Sequence, residues 1–326
     1  MPIKKISVLV PGGLNTDIIG LGVPQIIGRG ELTLGGEIKI GPGGKSRNIA
    51  QMIAVLVGRN KVAMIGRSVR DPFQLWRPPL EALRECGVNT DFVKVTDFKK
   101  NRKFPGIALI PVDPQGNNQI YVLPGINADF SPQDIHAAGA LFRAAQKNQG
   151  VLALSLELPL ATAIAAIQKA QVHGLKVILD PGGIQPESDY GALLKQKIFL
   201  IKPNEHEARI LTGVTVRDMN SARRAAVHFF KRGVQHVMIT AGAKGAYFLS
   251  RTSAVSIKPP FVKQEGPRDE TGCGDQTMAA LCAGILKGMD LPEACRMAIA
   301  AGTLQFHKVG ITPVRTEELK KYVHFT

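Results

Sequence analysis

The chain has 326 residues and a mass of 35.1 kDa, with 44% hydrophobic and 21% charged residues. This composition excludes a disordered chain and a small disulfide-stapled domain, and it allows one large domain or two modest ones. The 41 basic and 26 acidic residues give a formal net charge of +15. Such a charge favours anionic partners, nucleotide phosphates as well as nucleic acid, without choosing between them.

Short apolar runs recur along the chain with helix-like segments between them. They cover residues 6–10, 62–65, 151–158, 176–179, 199–202 and 236–240. Because these runs lack strict alternation, they predict strands that are buried on both faces, hence a largely parallel sheet covered by helices. The predicted fold class is α/β.

Two stretches interrupt this rhythm and predict a small β subdomain. Residues 12–41 are glycine-rich with a possible strand at 37–40, while residues 106–113 and 119–123 flank a turn, which is a hairpin signal. The basic run at 99–103 is interpreted either as a solvated loop or as a guide for an anionic substrate. The predicted division is a main domain of residues 1–11, 42–94 and 126–326 and a β subdomain of residues 12–41 and 95–125.

The cysteine pattern and the apolar segments bear on the location of the protein. The four cysteines show neither a C-x-x-C pair nor a zinc-type spacing, so we expect free thiols in a reducing compartment. No segment approaches the roughly 18 apolar residues that a membrane helix needs. The first apolar stretch is too short for a signal-peptide core. The predicted location is therefore the cytoplasm, with no membrane partner.

The strongest local signal is the heptapeptide at residues 269–275, Asp-Glu-Thr-Gly-Cys-Gly-Asp. The apolar residues after it have helical spacing and would form a stripe on one helix face: Met278, Leu281, Cys282, Ile285 and Met289. Glycine-flanked amides at a helix N-terminus favour an anion such as a phosphoryl group. At that helix start Asp275 could accept a proton from an attacking hydroxyl as a general base, although a simple helix cap would explain it as well.

A second glycine turn, at residues 41–48, precedes another helix with an apolar face. Glycine allows close approach of the backbone to a ligand, and Lys45 and Asn48 could donate hydrogen bonds to hydroxyls. The letters do not match the P-loop pattern, which excludes a Walker-type nucleotide cradle. A purely structural turn is the alternative interpretation.

Two further polar segments follow predicted strands, where open α/β sheets bind their ligands. Residues 202–207 contain Asn204 and Glu207, whose amide oxygen and carboxylate suit hydrated magnesium, although a helix cap at Asn204 explains the same letters. Residues 240–245 contain glycines that permit backbone contact with a second part of a ligand, or that form a plain hairpin turn.

Three short polar side chains lie near other strand ends and could hydrogen-bond the hydroxyls of a polyol: Asn15, Asp17 and Glu157. The histidines show neither H-x-x-x-H nor H-E-x-x-H, and no G-x-S-x-G occurs. The zinc hydrolase and serine hydrolase classes are therefore excluded.

In their order along the chain these segments resemble the ribokinase branch of the ribokinase and phosphofructokinase B carbohydrate kinase family. Residues 13–17 look like its substrate-binding N-x-D, residues 43–48 are similar to its first signature, G-G-K-x-x-N, and residues 269–275 to its second, D-T-x-G-A-G-D. Corresponding patterns between the signatures extend the resemblance over nearly the whole chain. The implied fold is a ribokinase-like three-layer α/β/α sandwich around a mostly parallel sheet, with the small β subdomain as a lid.

The resemblance implies an ATP-dependent sugar kinase in which Asp275 is the catalytic base. The amides of Gly272, Cys273 and Gly274 would stabilise the transferring phosphoryl group. The sugar would be held by Asn15, Asp17, Gly44, Lys45, Asn48, Glu157 and Asp275. ATP would contact Asn204, Thr240, Gly242, Gly245 and Gly274, Mg²⁺ would lie near Glu207 and Asn204 through water, and K⁺ would bind at Asp269 and Thr271. Such kinases often form homodimers through the lid.

Departures from the family pattern bear on the substrate. Cys273 replaces an alanine and Glu270 a threonine, and residues 180–183, Asp-Pro-Gly-Gly, replace Asn-Pro-Ala-Pro. Arg47 is bulkier and more charged than the small residue that ribokinases carry at this position. The leading prediction is a kinase of a free pentose, most simply ribose. The alternatives are a kinase of a nucleoside, another sugar or a sugar acid, and a non-catalytic sugar- or nucleic-acid-binding protein.

Overall fold

The computed structural model describes residues 3–263 and 268–323, which form two sheets and the helices around them. The strands are β1 (Val8–Pro11), β2 (Asn15–Leu21), β3 (Glu37–Gly43), β4 (Val62–Arg70), β5 (Asn89–Asp97), β6 (Gly106–Val112), β7 (Tyr121–Leu123), β8 (Val151–Ser155), β9 (Lys176–Asp180), β10 (Leu200–Ile201), β11 (His236–Thr240), β12 (Ala246–Leu249) and β13 (Ala254–Ile257). The helices are α1 (Lys45–Val57), α2 (Arg77–Glu85), α3 (Phe98–Asn101), α4 (Pro132–Ala137), α5 (Gly139–Lys147), α6 (Leu160–Val172), α7 (Gly191–Leu194), α8 (Glu205–Thr212), α9 (Met219–Lys231), α10 (Cys273–Leu286), α11 (Leu291–Phe306) and α12 (Thr316–Leu319).

The large sheet has nine strands in the order β13-β12-β11-β10-β9-β8-β1-β4-β5. Its strands pair in parallel from β11 to β5, and only β12 breaks the pattern, because it is antiparallel to both of its neighbours. All six apolar runs lie in this sheet, which confirms the predicted α/β class. The edge strand β5 was not predicted, because its charged and polar residues hide the apolar ones.

Helices cover both faces of this sheet. Val8 and Val10 of β1 point into a core shared with α1, α10 and α11, whereas Leu9 between them packs in a second core with α5, α6 and α9. Successive residues of a strand point to opposite faces, so a strand that is buried on both sides is apolar throughout. The predicted three-layer α/β/α arrangement is confirmed.

Helix α10 departs from its prediction. Instead of presenting one apolar stripe, it is buried on every side from Asp275 to Ile285, because α1 and α11 pack against it. It ends at Leu286, so Met289 lies beyond the helix. The prediction of a one-faced helix that includes Met289 was wrong, since α11 covers the face that the sequence alone left open.

The small sheet has the order β3-β2-β6-β7. Strand β2 is antiparallel to β3 and parallel to β6, and β6 and β7 form the predicted hairpin, whose turn is held by the Asp113 carboxylate. The sheet carries exposed large apolar side chains: Leu21, Ile38, Ile40, Leu109, Tyr121, Val122 and Leu123. Within residues 3–263 and 268–323, no helix is long and apolar enough to cross a membrane.

Candidate active site

Four of the predicted site residues are joined directly by hydrogen bonds around Asp275. Lys45 Nζ donates to Asp275 Oδ1 at 2.9 Å, and Asn48 Nδ2 donates to Asp275 Oδ2 at 2.8 Å. The backbone N–H of Lys45 donates to Glu157 Oε2 at 3.0 Å. The Asp275 side chain is only 6% exposed. Both of its oxygens are therefore oriented by donors from the first turn of α1.

The glycines before α1 are required by close packing against β2. Gly44 has φ +92°, and a Cβ built there would lie 2.9 Å from the backbone nitrogen of Asn15. A Cβ at Gly43 would overlap the carboxylate of Asp17. Gly44 therefore has no room for a side chain against the backbone of β2, and a Cβ at Gly43 would displace the Asp17 carboxylate.

Arg47 is fully buried between α1 and the end of β3. Its guanidinium donates to the carbonyls of Pro42 at 2.8 Å and Gly43 at 3.3 Å, and to the side-chain oxygens of Asn48 and Gln51. Burial lowers the pKa of Arg47 to about 10, although the nearby carboxylates oppose this shift. Because Arg47 takes the oxygen of the Asn48 amide, it leaves the amide nitrogen facing Asp275.

Two carboxylates on this side of the site have raised pKa values. Burial raises the pKa of Asp17 to about 6, with Arg47 opposing the shift and Glu157 and Asp275 adding to it. Burial also raises the pKa of Glu157, against the favourable charge of Lys45. Crowded carboxylates repel one another when ionised, so this pocket favours ligands that donate hydrogen bonds, as hydroxyl groups do.

Asn15 is held by a residue that lies far away in the sequence. Asn127 Nδ2 donates to Asn15 Oδ1 at 2.9 Å and to the carbonyl of Leu14 at 3.2 Å. Asn15 is 5% exposed and belongs to the first residues of β2. Asn127 therefore fixes the side chain that the sequence assigns to the sugar.

A buried ion pair near the middle of the site escaped sequence analysis. Lys202 Nζ lies 2.9 Å from Asp180 Oδ2, and the two side chains are 3% and 2% exposed. Burial would raise the pKa of Asp180, but the charges of Lys202 and Lys45 hold it below its usual value. The sequence did contain a signal for this contact. Asp180 ends β9 and Lys202 follows the neighbouring parallel strand β10, which places both residues at the carboxyl edge of the sheet.

Asn204 and Glu207 form a reciprocal cap at the start of α8. The N–H of Glu207 donates to Asn204 Oδ1 at 2.8 Å, and the N–H of Asn204 donates to Glu207 Oε2 at 2.9 Å. The alternative interpretation, in which Asn204 caps a helix, is therefore confirmed. The cap uses one oxygen of Glu207 and leaves Oε1 without a hydrogen bond from the described residues.

The surroundings of Glu207 suit a hydrated cation. Burial raises the pKa of Glu207, and the negative charge of Asp180 adds to this shift, which Lys202 opposes. The described residues contain no group of three or more His, Cys, Asp or Glu side chains that could hold a metal by themselves. Magnesium fits this setting, since it usually keeps several waters and takes one or two carboxylates together with phosphate oxygens.

In the segment after β11, the contacts are made by backbone groups more than by side chains. The N–H of Thr240 donates to the carbonyl of Pro203 at 2.9 Å, which places Thr240 beside Asn204. Gly242 and Gly245 have φ angles of +51° and +90°. A Cβ at Gly245 would overlap the carbonyl oxygen of Ile257 on β13. The turn is therefore tightly packed against β13 at Gly245.

Helix α10 begins at the second signature with Gly272 as its N-cap, at φ +75°. The N–H of Cys273 donates to the carbonyl of Glu270 at 3.2 Å, whereas the N–H groups of Gly272 and Gly274 meet no acceptor among the described residues. Burial raises the pKa of the Cys273 thiol to about 12, which keeps this group neutral. Two amides are therefore open to an anion at the positive end of the helix dipole.

The loop before α10 is closed by Asp269. Its carboxylate accepts hydrogen bonds from the N–H of Thr271 at 2.8 Å and from the N–H of Gly310 at 2.7 Å. Burial alone would raise the pKa of Asp269, but these bonds hold it below its usual value. Asp269 and Thr271 thus lie together, and Gly310 joins them from beyond α11.

The whole arrangement places a buried carboxylate beside open helix-start amides, which is the geometry of a phosphotransferase acting on a hydroxyl. The sequence model described as pfkB family carbohydrate kinase matches residues 5–317. The chain therefore belongs to the pfkB family of carbohydrate kinases, and the enzyme is a phosphotransferase with a hydroxyl group as acceptor. The family predicted from the two signatures is confirmed.

Individual relatives extend this result. The chain is 33% identical to a ribokinase of Haemophilus influenzae over 324 residues, which cover 98% of this chain and 99% of that protein. It is 30% identical to a deoxyribokinase of Salmonella typhi over 275 residues, 84% of each chain. The solved structure of Arabidopsis thaliana ribokinase complexed with ribose and ATP superposes with a TM-score of 0.83 at 25% identity, over 98% of this chain and 99% of that one. The ribokinase-like fold is thereby confirmed.

Proposed function

We propose that this kinase transfers the γ-phosphoryl group of ATP to the primary hydroxyl of a free pentose, most simply ribose. The observation that carries the proposal is the Asp275 carboxylate, which Lys45 and Asn48 hold at the start of α10 beside the open amides of Gly272 and Gly274. The likeness to a ribokinase over nearly the full length of both chains supports ribose as the acceptor.

Asp275 acts as the general base. The hydroxyl oxygen of the sugar attacks the γ-phosphorus, the bond from that phosphorus to the bridging oxygen breaks, and the hydroxyl proton passes to Asp275. Asn48 keeps one carboxylate oxygen in place, while Lys45 offers a positive charge beside the other. The amides of Gly272, Cys273 and Gly274 stabilise the negative charge on the transferring phosphoryl group. At Cys273, the phosphoryl oxygens compete with the Glu270 carbonyl for the N–H group.

The sugar occupies the pocket between the small sheet and α1. Its hydroxyls bind to the side chains and peptide groups that converge there: Asn15, Asp17, Gly44, Lys45, Asn48 and Glu157. The crowded carboxylates of this pocket support a neutral polyol, because a phosphorylated sugar would add negative charge to them.

ATP lies along the other half of the cleft, in contact with Asn204, Thr240, Gly242, Gly245 and Gly274. Glu207 and Asn204 hold Mg²⁺ through water, and when bound the ion neutralises charge on the phosphates. The buried ion pair of Asp180 and Lys202 lies close enough to Lys45 for the charges of both lysines to lower the pKa of Asp180.

The β subdomain of residues 12–41 and 95–125, which contains most of the small sheet, serves as the lid that excludes water from the sugar. Its exposed apolar side chains support a homodimer through the lid, because such a patch is costly to leave in water. Sedimentation of the purified protein tests this assembly, with a dimer expected and a monomer at micromolar concentration contradicting it. The four free thiols support a location in the reducing cytoplasm.

A turnover screen with ATP and Mg²⁺ tests the function. We expect ribose to give the highest kcat/KM among ribose, 2-deoxyribose, adenosine and gluconate. The deoxyribokinase relative makes 2-deoxyribose the second candidate, and a higher kcat/KM for that sugar would decide in its favour. No turnover of any acceptor, together with retention of DNA at physiological salt, would favour a non-catalytic nucleic-acid-binding protein.

A further inference from the structure

A buried glutamine connects the two loops that flank the start of α10. Gln305 lies in the last turn of α11 and has no exposed surface. Its Nε2 donates to the carbonyl of Thr271 at 3.3 Å and to the carbonyl of Gly310 at 2.7 Å. The N–H groups of the same two residues donate to Asp269. Thr271 and Gly310 are therefore held twice, once through their amides and once through their carbonyls.

The orientation of the Gln305 amide follows from its partners. A carbonyl oxygen can only accept, so the atom that faces two carbonyls must be the NH₂ group. Without a cation between the loops, the opposite orientation would bring three oxygens together with no proton between them. Among residues 3–263 and 268–323, Oε1 of Gln305 meets no hydrogen-bond partner, so the contacts of this side chain lie on its donor end.

These contacts compete with the ion that the family resemblance predicts at Asp269 and Thr271. Potassium is held in proteins by several carbonyl oxygens that replace its hydration shell. The carbonyls of Thr271 and Gly310 both point at the Gln305 amide, whose hydrogens carry partial positive charge. A cation between these carbonyls and a buried NH₂ group at the same place exclude each other. With the amide nitrogen facing both carbonyls, the residues present do not fit a potassium ion between the two loops.

We propose that the side-chain amide of Gln305 takes the place of a monovalent cation here, so that the kinase works without potassium. The inference concerns regulation of the proposed active site and rests on the proposed function for its kinetic readout. Because the loop runs directly into Gly272 and Gly274, the glutamine keeps the phosphoryl-binding amides in position at all times. An enzyme with an ion at this place would instead order the loop only when the ion is bound.

The first test uses the unmodified protein. Turnover with ATP, Mg²⁺ and ribose is measured in potassium, sodium and choline chloride at constant ionic strength, and the thermal unfolding midpoint is measured in the same three salts. We expect kcat and KM to agree within about twofold and the midpoints to coincide. Activation by potassium of about fivefold or more, or a midpoint that rises only in potassium, would overturn the proposal.

The second test removes the amide in two ways. Gln305→Ala frees both carbonyls and the space between them, so we expect lower turnover in choline and recovery by potassium of about fivefold. It should also gain a potassium-specific rise in unfolding midpoint. Gln305→Met fills the same space without a donor, so it should lose turnover without any potassium response. Potassium responses in Gln305→Ala that equal those of the unmodified protein would contradict the assignment.

The two readouts separate this inference from the proposed function. If the unmodified protein phosphorylates no sugar in any salt, the proposed function fails, whereas the unfolding midpoints still show whether a potassium ion binds. If Gln305→Ala does not fold, the salt response of the unmodified protein decides the question by itself. A potassium-specific midpoint shift in the unmodified protein is the result that overturns the proposal in every case.

Discussion

The sugar side and the nucleotide side of the site differ in what holds them together. On the sugar side, buried charged side chains hold one another, as Lys45 and Asn48 hold Asp275 and Arg47 holds Asn48. On the nucleotide side, residues 204–207 form a helix cap and residues 240–245 form a glycine turn, so the backbone carries most of the contacts. A substitution on the first side should change chemistry, and one on the second side should change geometry.

The physical reason lies in the tasks of the two sides. Proton transfer needs a carboxylate with a fixed orientation, which requires donors that are themselves fixed by packing. Binding of phosphates needs N–H groups and room, which glycine turns and helix starts supply without side chains. The following four predictions test whether this division holds, beginning with the largest expected effect.

Asp275→Asn should reduce kcat by about 10³-fold, because the amide keeps the shape but cannot take a proton. The affinity for ATP, measured by calorimetry, should stay within about threefold, since the contacts of the nucleotide side are untouched. Asp218→Asn is the matched control, because Asp218 is exposed and only caps α9, a task that Asn performs equally well. A kcat within about tenfold of the unmodified enzyme would contradict the base assignment.

Arg47→Met should lower the free energy of unfolding by about 3 kcal/mol, because the carbonyls of Pro42 and Gly43 lose their donor and Asp17 loses a nearby positive charge. It should also lower kcat, since the Asn48 amide is released. Urea unfolding and steady-state kinetics measure both effects. Gln51→Met removes one partner of Arg47 and should cost only about 1 kcal/mol. Equal losses in the two variants would show that Arg47 merely fills space.

Gly245→Ala should raise the KM for ATP more than the KM for the sugar, because the new Cβ collides with the Ile257 carbonyl and moves the turn. The expected loss of stability is about 2 kcal/mol. Gly233→Ala is the matched control, since Gly233 has a similar φ of +94° but open space where its Cβ would stand. If both variants change KM for ATP equally, close packing behind the turn is not what positions the nucleotide.

The raised pKa of Asp17 predicts that pH changes the binding of the sugar and not that of ATP. Its pKa in the fold, about 6, lies above the ordinary value of 3.8, so the fold disfavours the ionised form. Asp17 therefore contributes stability at low pH, which is lost as the pH rises from 3.8 through about 6.

The ionised form is the better acceptor for hydroxyls, so the KM for ribose should fall as the pH rises through about 6, while the KM for ATP stays level. Steady-state kinetics across this pH range measure both constants. Asp17→Asn should flatten the ribose profile, and an unchanged profile in that variant would assign the titration to another group.

Local sequence patterns determined the parts of this protein that depend on neighbouring residues. The apolar runs predicted the six consecutive strands from β11 to β4, the turn at 114–118 predicted the hairpin, and the glycines at 43–44 and 272–274 marked the two helix starts. These features depend on side-chain period and on backbone freedom, which a few adjacent letters encode. The position of Asp275 beside Lys45 and Asn48 was accessible only through the resemblance to the family.

The tertiary structure alone decided which distant residues meet. The ion pair of Asp180 and Lys202 depends on the adjacency of β9 and β10, and the burial of α10 depends on α11. Gln305 reaches Thr271, 34 residues earlier in the chain, because α10 and α11 pack side by side. No local pattern encodes these contacts, since strand order and helix packing minimise the free energy of the whole chain.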